Sequence, residues 1–348
     1  MPKLSRTPGN HAVPTPPGAT APPPWPLVAL PWAAASALLL GWLLAPDLLT
    51  RHAFLPLLLS VVLFGQPHGA LDHLVPVRLG WRWGRRPGWV VLYCLAYAGL
   101  AGLYLLAWKY APLPAFWLFL IVSALHWGQG DLHFLEAGLG RQRPARWSAG
   151  LAILARGSLP ILVPLLAFPE DFGRLASGAA RAFGGQVGAE GLLGPGGHAG
   201  LAVLVTLLLA LYVLDTLRAA ASPRRLALEL AEAALLLTLF VTVPAPLSIG
   251  VYFTLWHAWR HLGRLLALSP GSARSSWRPA AHLARDLLPL TLAALALLGG
   301  LFLWAAPRVD TVETFAALYL ALIAALTLPH ALVVALMDLP PRAVWRRS

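Results

Sequence analysis

Charge is what this sequence has least of. Asp, Glu, Lys and Arg make up 11% of the 348 residues, against about 25% in an ordinary soluble domain. Hydrophobic residues reach 58%, and a chain of that composition cannot cover a water-facing surface. Its apolar runs, among them Leu27–Ala45, Trp89–Trp108 and Leu287–Ala306, approach or exceed the roughly 18 residues of a membrane span. Cysteine is reduced to Cys94, which excludes a disulfide framework. H-E-x-x-H does not occur, which argues against an intramembrane zinc protease. Lysine is also scarce, with Lys3 and Lys109 standing against 24 arginines, a bias of the kind a GC-rich genome produces.

The charge that is present is mostly positive, with a net value of +12. It argues for topology rather than for nucleic acid, because the basic residues fall in short loops between apolar runs. The expected fold is all-α, a polytopic bundle of about ten spans. Their limits are 27–46, 53–77, 88–108, 113–135, 147–168, 198–217, 226–243, 246–265, 286–306 and 312–337. Residues 1–26, rich in Pro, Thr and Ala, read as a disordered cytoplasmic tail. Residues 27–338 form a single transmembrane domain, and 339–348 a basic cytoplasmic tail. Residues 169–197 read as a long loop. With the N-terminus inside, 20 Lys and Arg residues fall in cytoplasmic segments and five outside, with Arg156 within span five. That alternation predicts a multi-pass cell-membrane (inner-membrane) protein surrounded by lipid, with both termini cytoplasmic.

Ionisable side chains in the hydrocarbon region are expensive and mark function. Here they gather in four even-numbered spans. Span two carries Pro67-His68-Gly69-Ala70-Leu71-Asp72-His73, and span four carries His126-Trp127-Gly128 with Asp131 and His133. Span eight carries Tyr252, Phe253, Trp256, His257, Arg260 and His261, and span ten carries Pro329-His330. All four spans run from outside to inside. At 1.5 Å per residue, His68, His126, His257 and His330 come within roughly 10 Å of one another in depth. His257 and His261 lie one turn apart on one helix face, so both can reach one ion. Neutral imidazole suits iron, copper or zinc.

Each residue also has a plainer role open to it. A lone intramembrane histidine commonly makes a helix–helix hydrogen bond. His73 and His133 near the inner span ends read as supporting or interfacial. Asp72 and Asp131 either orient a ligand or pair with a loop arginine. Arg156 either pairs with an acidic residue or snorkels. Phe64, Trp127, Tyr252, Phe253, Trp256 and Trp259 pack the bundle, or together wall a cavity for a flat, extended apolar substrate.

These motifs resemble, in order, those of the prokaryotic Brp/Blh family of β-carotene 15,15′-dioxygenases, from about residue 60 to 338. The resemblance implies an iron-dependent, integral-membrane oxidoreductase that uses O2 to split β-carotene at its central double bond into two retinals. It implies Fe(2+) held by His68, His126, His257 and His261. Around that centre, as support for it or along the cavity wall, we place Asp72, His73, Trp127, Asp131, Tyr252, Trp256, Arg260 and His330. A retinal-binding opsin is the functional partner it suggests. Two other readings stand beside it. Paired histidines could hold b-type haem in an electron carrier, and Asp72 and Asp131 could serve an ion-coupled transporter. Membrane di-iron hydroxylases and desaturases need repeated histidine boxes, and this chain has one H-x3-H pair.

Overall fold

The computed structural model describes residues 25–60, 63, 67, 69–78, 84, 86–186, 192–267 and 278–338. The two expected tails, apart from residues 25 and 26, lie outside them. Among the described residues every regular element is a helix. In chain order these are α1 (Pro26–Leu44), α2 (Pro46–Arg51), α3 (Leu55–Ser60), α4 (Val75–Arg78), α5 (Pro87–Tyr110), α6 (Pro112–Leu139) and α7 (Ser148–Ala167). There follow α8 (Pro169–Ala182), α9 (Pro195–Ala219), α10 (Pro223–Thr242), α11 (Ala245–Tyr252), α12 (Trp259–Ala267), α13 (Arg278–Ala305) and α14 (Val312–Met337).

Proline marks the starts. Helices α1, α2, α5, α6, α8, α9 and α10 each begin on one. At that position the fixed φ suits the helix and the missing N–H would have had no intrahelical partner. The connections from α1 to α2, α5 to α6, α7 to α8 and α9 to α10 take one to three residues.

Among the described residues six helices are long and apolar enough to cross a membrane: α1, α5, α7, α9, α13 and α14. Against these six the count of about ten spans is loose. Helices α6 and α10 have the length, at 28 and 20 residues. Their intramembrane polar residues, His126, Gln129 and Asp131 in α6 and Glu229 and Glu232 in α10, lower the hydropathy. Span two is not one helix. It holds α3, then a 3-10 turn at Asp72–Leu74, then α4. Span eight is α11 and α12 joined through a π-helical stretch, Phe253–Ala258. The expected loop 169–197 contains α8, an alanine-rich helix with Glu170 and Asp171 in its first turn and Arg181 in its last. Those charges complement the helix dipole.

The bundle is layered. Helices α7 and α14 are the most enclosed of the six spans, while α1, α5 and α13 bury only 11% of their apolar windows. Their outward leucines, such as Leu95, Leu103, Leu106, Leu288, Leu292 and Leu303, are exposed, as lipid-facing residues must be. Lipid tails are as apolar as leucine, so close packing of small residues has to hold the inner helices together. Between α6 and α7 this is taken to its limit. A Cβ on Gly128 would lie 1.9 Å from the Ile153 carbonyl oxygen, and one on Gly157 would lie 1.8 Å from that of Ala124. The two backbones touch there, which brings the polar residues of both helices to one level.

Candidate metal centre

Four imidazoles meet in the bundle interior. Helix α6 supplies His126, the π-helical stretch His257, α12 His261 and α14 His330, all buried. The ring centroid of His126 lies 4.8 Å from that of His257 and 4.7 Å from that of His330. His261 lies 5.3 Å from His330 and 6.4 Å from His257, nearly parallel to the latter at 12°. The π-helical register beneath His257 is rare in proteins and concentrates at functional sites.

His330 is anchored from behind. Its Nδ1–H donates to Asp72 Oδ2 at 2.8 Å, and the Tyr97 hydroxyl lies 3.4 Å from the same oxygen while donating to the Leu326 carbonyl at 3.0 Å. A carboxylate on one imidazole nitrogen fixes the tautomer and the ring orientation, the usual support for a metal-binding histidine. His73, at the rim, has Nδ1 3.0 Å from the Ala70 carbonyl oxygen.

Asp131 has a different role, because its partners are two intramembrane arginines rather than one in a loop. Arg156 on α7 reaches Asp131 Oδ2 at 2.8 Å and Glu232 on α10 at 3.3 Å. Arg260, between the two histidines of α12 and the π-helical stretch, reaches Asp131 at 3.5 Å and pairs closely with Glu232. Trp256 Nε1 donates to Asp131 at 3.3 Å, and the Arg260 guanidinium lies over the rings of Phe134 and Trp256, 3.7 and 4.3 Å from their centroids. Two cations and two anions thus close a neutral quartet against the histidine cluster. Gly130 is the spacer: a Cβ there would lie 3.5 Å from the His257 ring.

An aromatic wall continues outward. Trp127 stacks 5.9 Å from Phe253 and lies 5.3 Å from Tyr252 and 5.7 Å from His257. Tyr252 stacks on Trp256 at 6.0 Å. Beside His330 a cavity of about 350 Å³ opens between α5, α13 and α14. A smaller one of about 50 Å³ lies behind Trp127 and Phe253, and Ile323 lines both.

Of the residues singled out in the sequence, His126, His257, His261, His330, Asp72, Trp127, Tyr252, Trp256, Arg260 and Asp131 converge here. His73 lies at the edge. His68 and Phe64 lie outside the described residues. Glu232 and Tyr97 are additions. Glu232 is an acidic residue in an apolar run and could have been noticed on that ground alone, whereas Tyr97 has no sequence signal.

By chemistry, four buried imidazoles are a donor set of the kind that iron, copper or zinc takes. Among the described residues no group of three or more His, Cys, Asp or Glu side chains is placed to hold a metal ion, so the case for a metal rests on the gathering of buried imidazoles and on their chemistry.

Fold and site together define a polytopic helical membrane protein with a histidine cluster beside an apolar, side-opening cavity. The model of the beta-carotene 15,15'-dioxygenase family matches residues 59–338, and the chain belongs to that family. It is 39% identical over 326 residues, 90% of this chain and 92% of the relative, to the Halobacterium salinarum protein named "Probable beta-carotene 15,15'-dioxygenase Blh". It is 29% identical over 228 residues, 61% of this chain and 58% of the relative, to "Probable beta-carotene 15,15'-dioxygenase Brp" of the same species. No solved structure matches.

Proposed function

We propose that this protein is an iron-dependent dioxygenase that cleaves the central 15,15′ double bond of β-carotene. One carotene and one O2 give two retinals, with one oxygen atom in each new aldehyde. The observation that carries the reading is the buried histidine cluster, built from separate helices and opening onto an apolar cavity, in a member of this family.

His126, His257 and His261, with His68, would hold Fe(2+), and His330 stands close enough to join them or to wall the site. Bound there, the iron would supply dioxygen activation, and imidazole ligation that leaves a position open is what such chemistry needs. The remaining residues position and exclude. Asp72 holds the His330 ring, while the Asp131–Arg156–Glu232–Arg260 quartet holds the segment that carries His257 and His261. Trp127, Tyr252 and Phe253 present a flat apolar wall to a polyene and keep water away. Centring the substrate so that a single bond meets the iron is a positioning effect. Asp72 and Asp131 each have a basic partner, which makes them poor ion sites for a transporter.

The protein would work in the cell membrane with both termini cytoplasmic. It would draw carotene from lipid and supply retinal to a retinal-binding opsin. Expression in β-carotene-producing bacteria tests the reading. Retinal should accumulate as carotene bleaches, and His257→Ala should abolish both while still inserting. A haem Soret band, or protein that carries no metal, would overturn it.

A further inference from the structure

The cavity between α5, α13 and α14 is not uniformly apolar. Leu290, Leu297 and Leu326 line its length, and the mouth opens past exposed Ala98 and Leu297 towards the lipid-facing side of α5 and α13. Its polar groups are those of Asp72, His73, Tyr93, Tyr97 and His330, with Thr327. At about 350 Å³ it falls in the range of small-ligand sites, about 300–1,000 Å³.

The two tyrosines differ. The Tyr97 hydroxyl already donates to the Leu326 carbonyl at 3.0 Å, and the Thr327 hydroxyl donates to the Ile323 carbonyl at 2.7 Å. The Tyr93 ring lies 5.8 Å from that of Tyr97, yet its hydroxyl oxygen is buried with no hydrogen-bond partner among the described residues. Buried hydroxyls are nearly always satisfied. One left open on a cavity wall near the reaction centre is a donor for something that arrives. A carotene hydrocarbon has no acceptor to offer, whereas each product of its cleavage carries an aldehyde oxygen at the end nearest the histidines.

We infer that this cavity holds a polyene ending in a carbonyl oxygen, and that Tyr93 donates its hydroxyl proton in a hydrogen bond to that oxygen. The inference rests on the proposed cleavage for the identity of the ligand, one molecule of retinal kept after the bond is broken. Tyr93 is thus a product-binding residue, with no part in holding the metal.

The test uses the whole protein in lipid nanodiscs with added all-trans-retinal, and as a second probe the same C20 polyene without its carbonyl. Tryptophan quenching should show Tyr93→Phe binding retinal about three- to tenfold more weakly than wild type, the worth of one hydrogen bond, with the hydrocarbon bound equally by both. The wild type alone gives a second reading. The retinal carbonyl stretch should move to lower frequency in the protein than in lipid, and return in Tyr93→Phe if that variant folds. Unchanged retinal affinity, equal loss of both probes, an unshifted carbonyl, or no retinal binding would each overturn the inference. If carotene is cleaved but the carbonyl is unshifted, this inference fails alone. If retinal binds as described and no carotenoid is cleaved, the enzymatic reading fails and the binding site stands.

Discussion

Arg156 has none of its surface exposed, and what makes that tolerable is the pair of carboxylates, Asp131 and Glu232, drawn from two other helices. Removing one partner of a buried ion pair leaves an uncompensated charge and costs about 3–5 kcal/mol, while removing both is far milder. Glu232→Gln should therefore destabilise the detergent-solubilised protein by about that amount, and adding Arg156→Gln should recover part of it. Thermal unfolding of the three forms decides the matter, and additive losses would show that the quartet is not coupled. Asp72→Ala should leave the fold intact but lower iron affinity about 10- to 100-fold through the loosened His330 ring, read as iron content after dialysis. Wild-type iron retention would mean that His330 is not part of the metal's support. At this scale the sequence was legible in kinds but not in pairs. His126, His257, His261, Asp72 and Asp131 stood out as polar groups in apolar runs. That Asp72 faces His330, 258 positions away, is set by helix packing, which no local pattern encodes.

Among the elements, the long apolar helices were readable because each carries its own signal, a long apolar run, with a proline at its start in α1, α5 and α9. Three features were not. Span two breaks into α3, the 3-10 turn at Asp72–Leu74 and α4, since apolar content alone does not say whether a run stays helical. The π-helical stretch at Phe253–Ala258 shifts the register, but five of its six residues are buried, so there is no one-sided apolar pattern in which the shift could show. Helix α8 was masked by the glycine-rich segment that follows it. The α6–α7 contact is the element on which the site depends most, since it brings Asp131 to Arg156. Gly157→Val places side-chain atoms where the Ala124 carbonyl already lies, 1.8 Å from a Cβ at that position. Overpacking of this kind costs typically about 1–3 kcal/mol or more. Lower melting temperature and lost iron together are the expected result, and unchanged values would mean that the two helices part easily.

For the molecule as a whole, scarce charge and arginine-rich loops sufficed to define a helical membrane protein, although the count of about ten spans was loose. Six helices among the described residues meet the criteria of length and apolarity, while α6 and α10, which carry His126, Asp131, Glu229 and Glu232, have the length without the apolarity. Access is the property that emerges only at this scale. If carotene enters between α5 and α13, Ala294→Trp, on the cavity wall, should lower kcat/KM for β-carotene at least about tenfold with iron content unchanged, since the indole would occupy space in the cavity of about 350 Å³ that the substrate needs. Full activity in that variant would place the entrance elsewhere.

A mouth that faces lipid also changes what concentration means. Substrate would reach this protein by diffusion in two dimensions, so the quantity that governs turnover is carotene per unit area of membrane. Diluting proteoliposomes with buffer should leave the turnover per protein unchanged, whereas fusing them with empty vesicles should slow it. The product would leave by the same sheet, reaching a retinal-using protein in that membrane without crossing water.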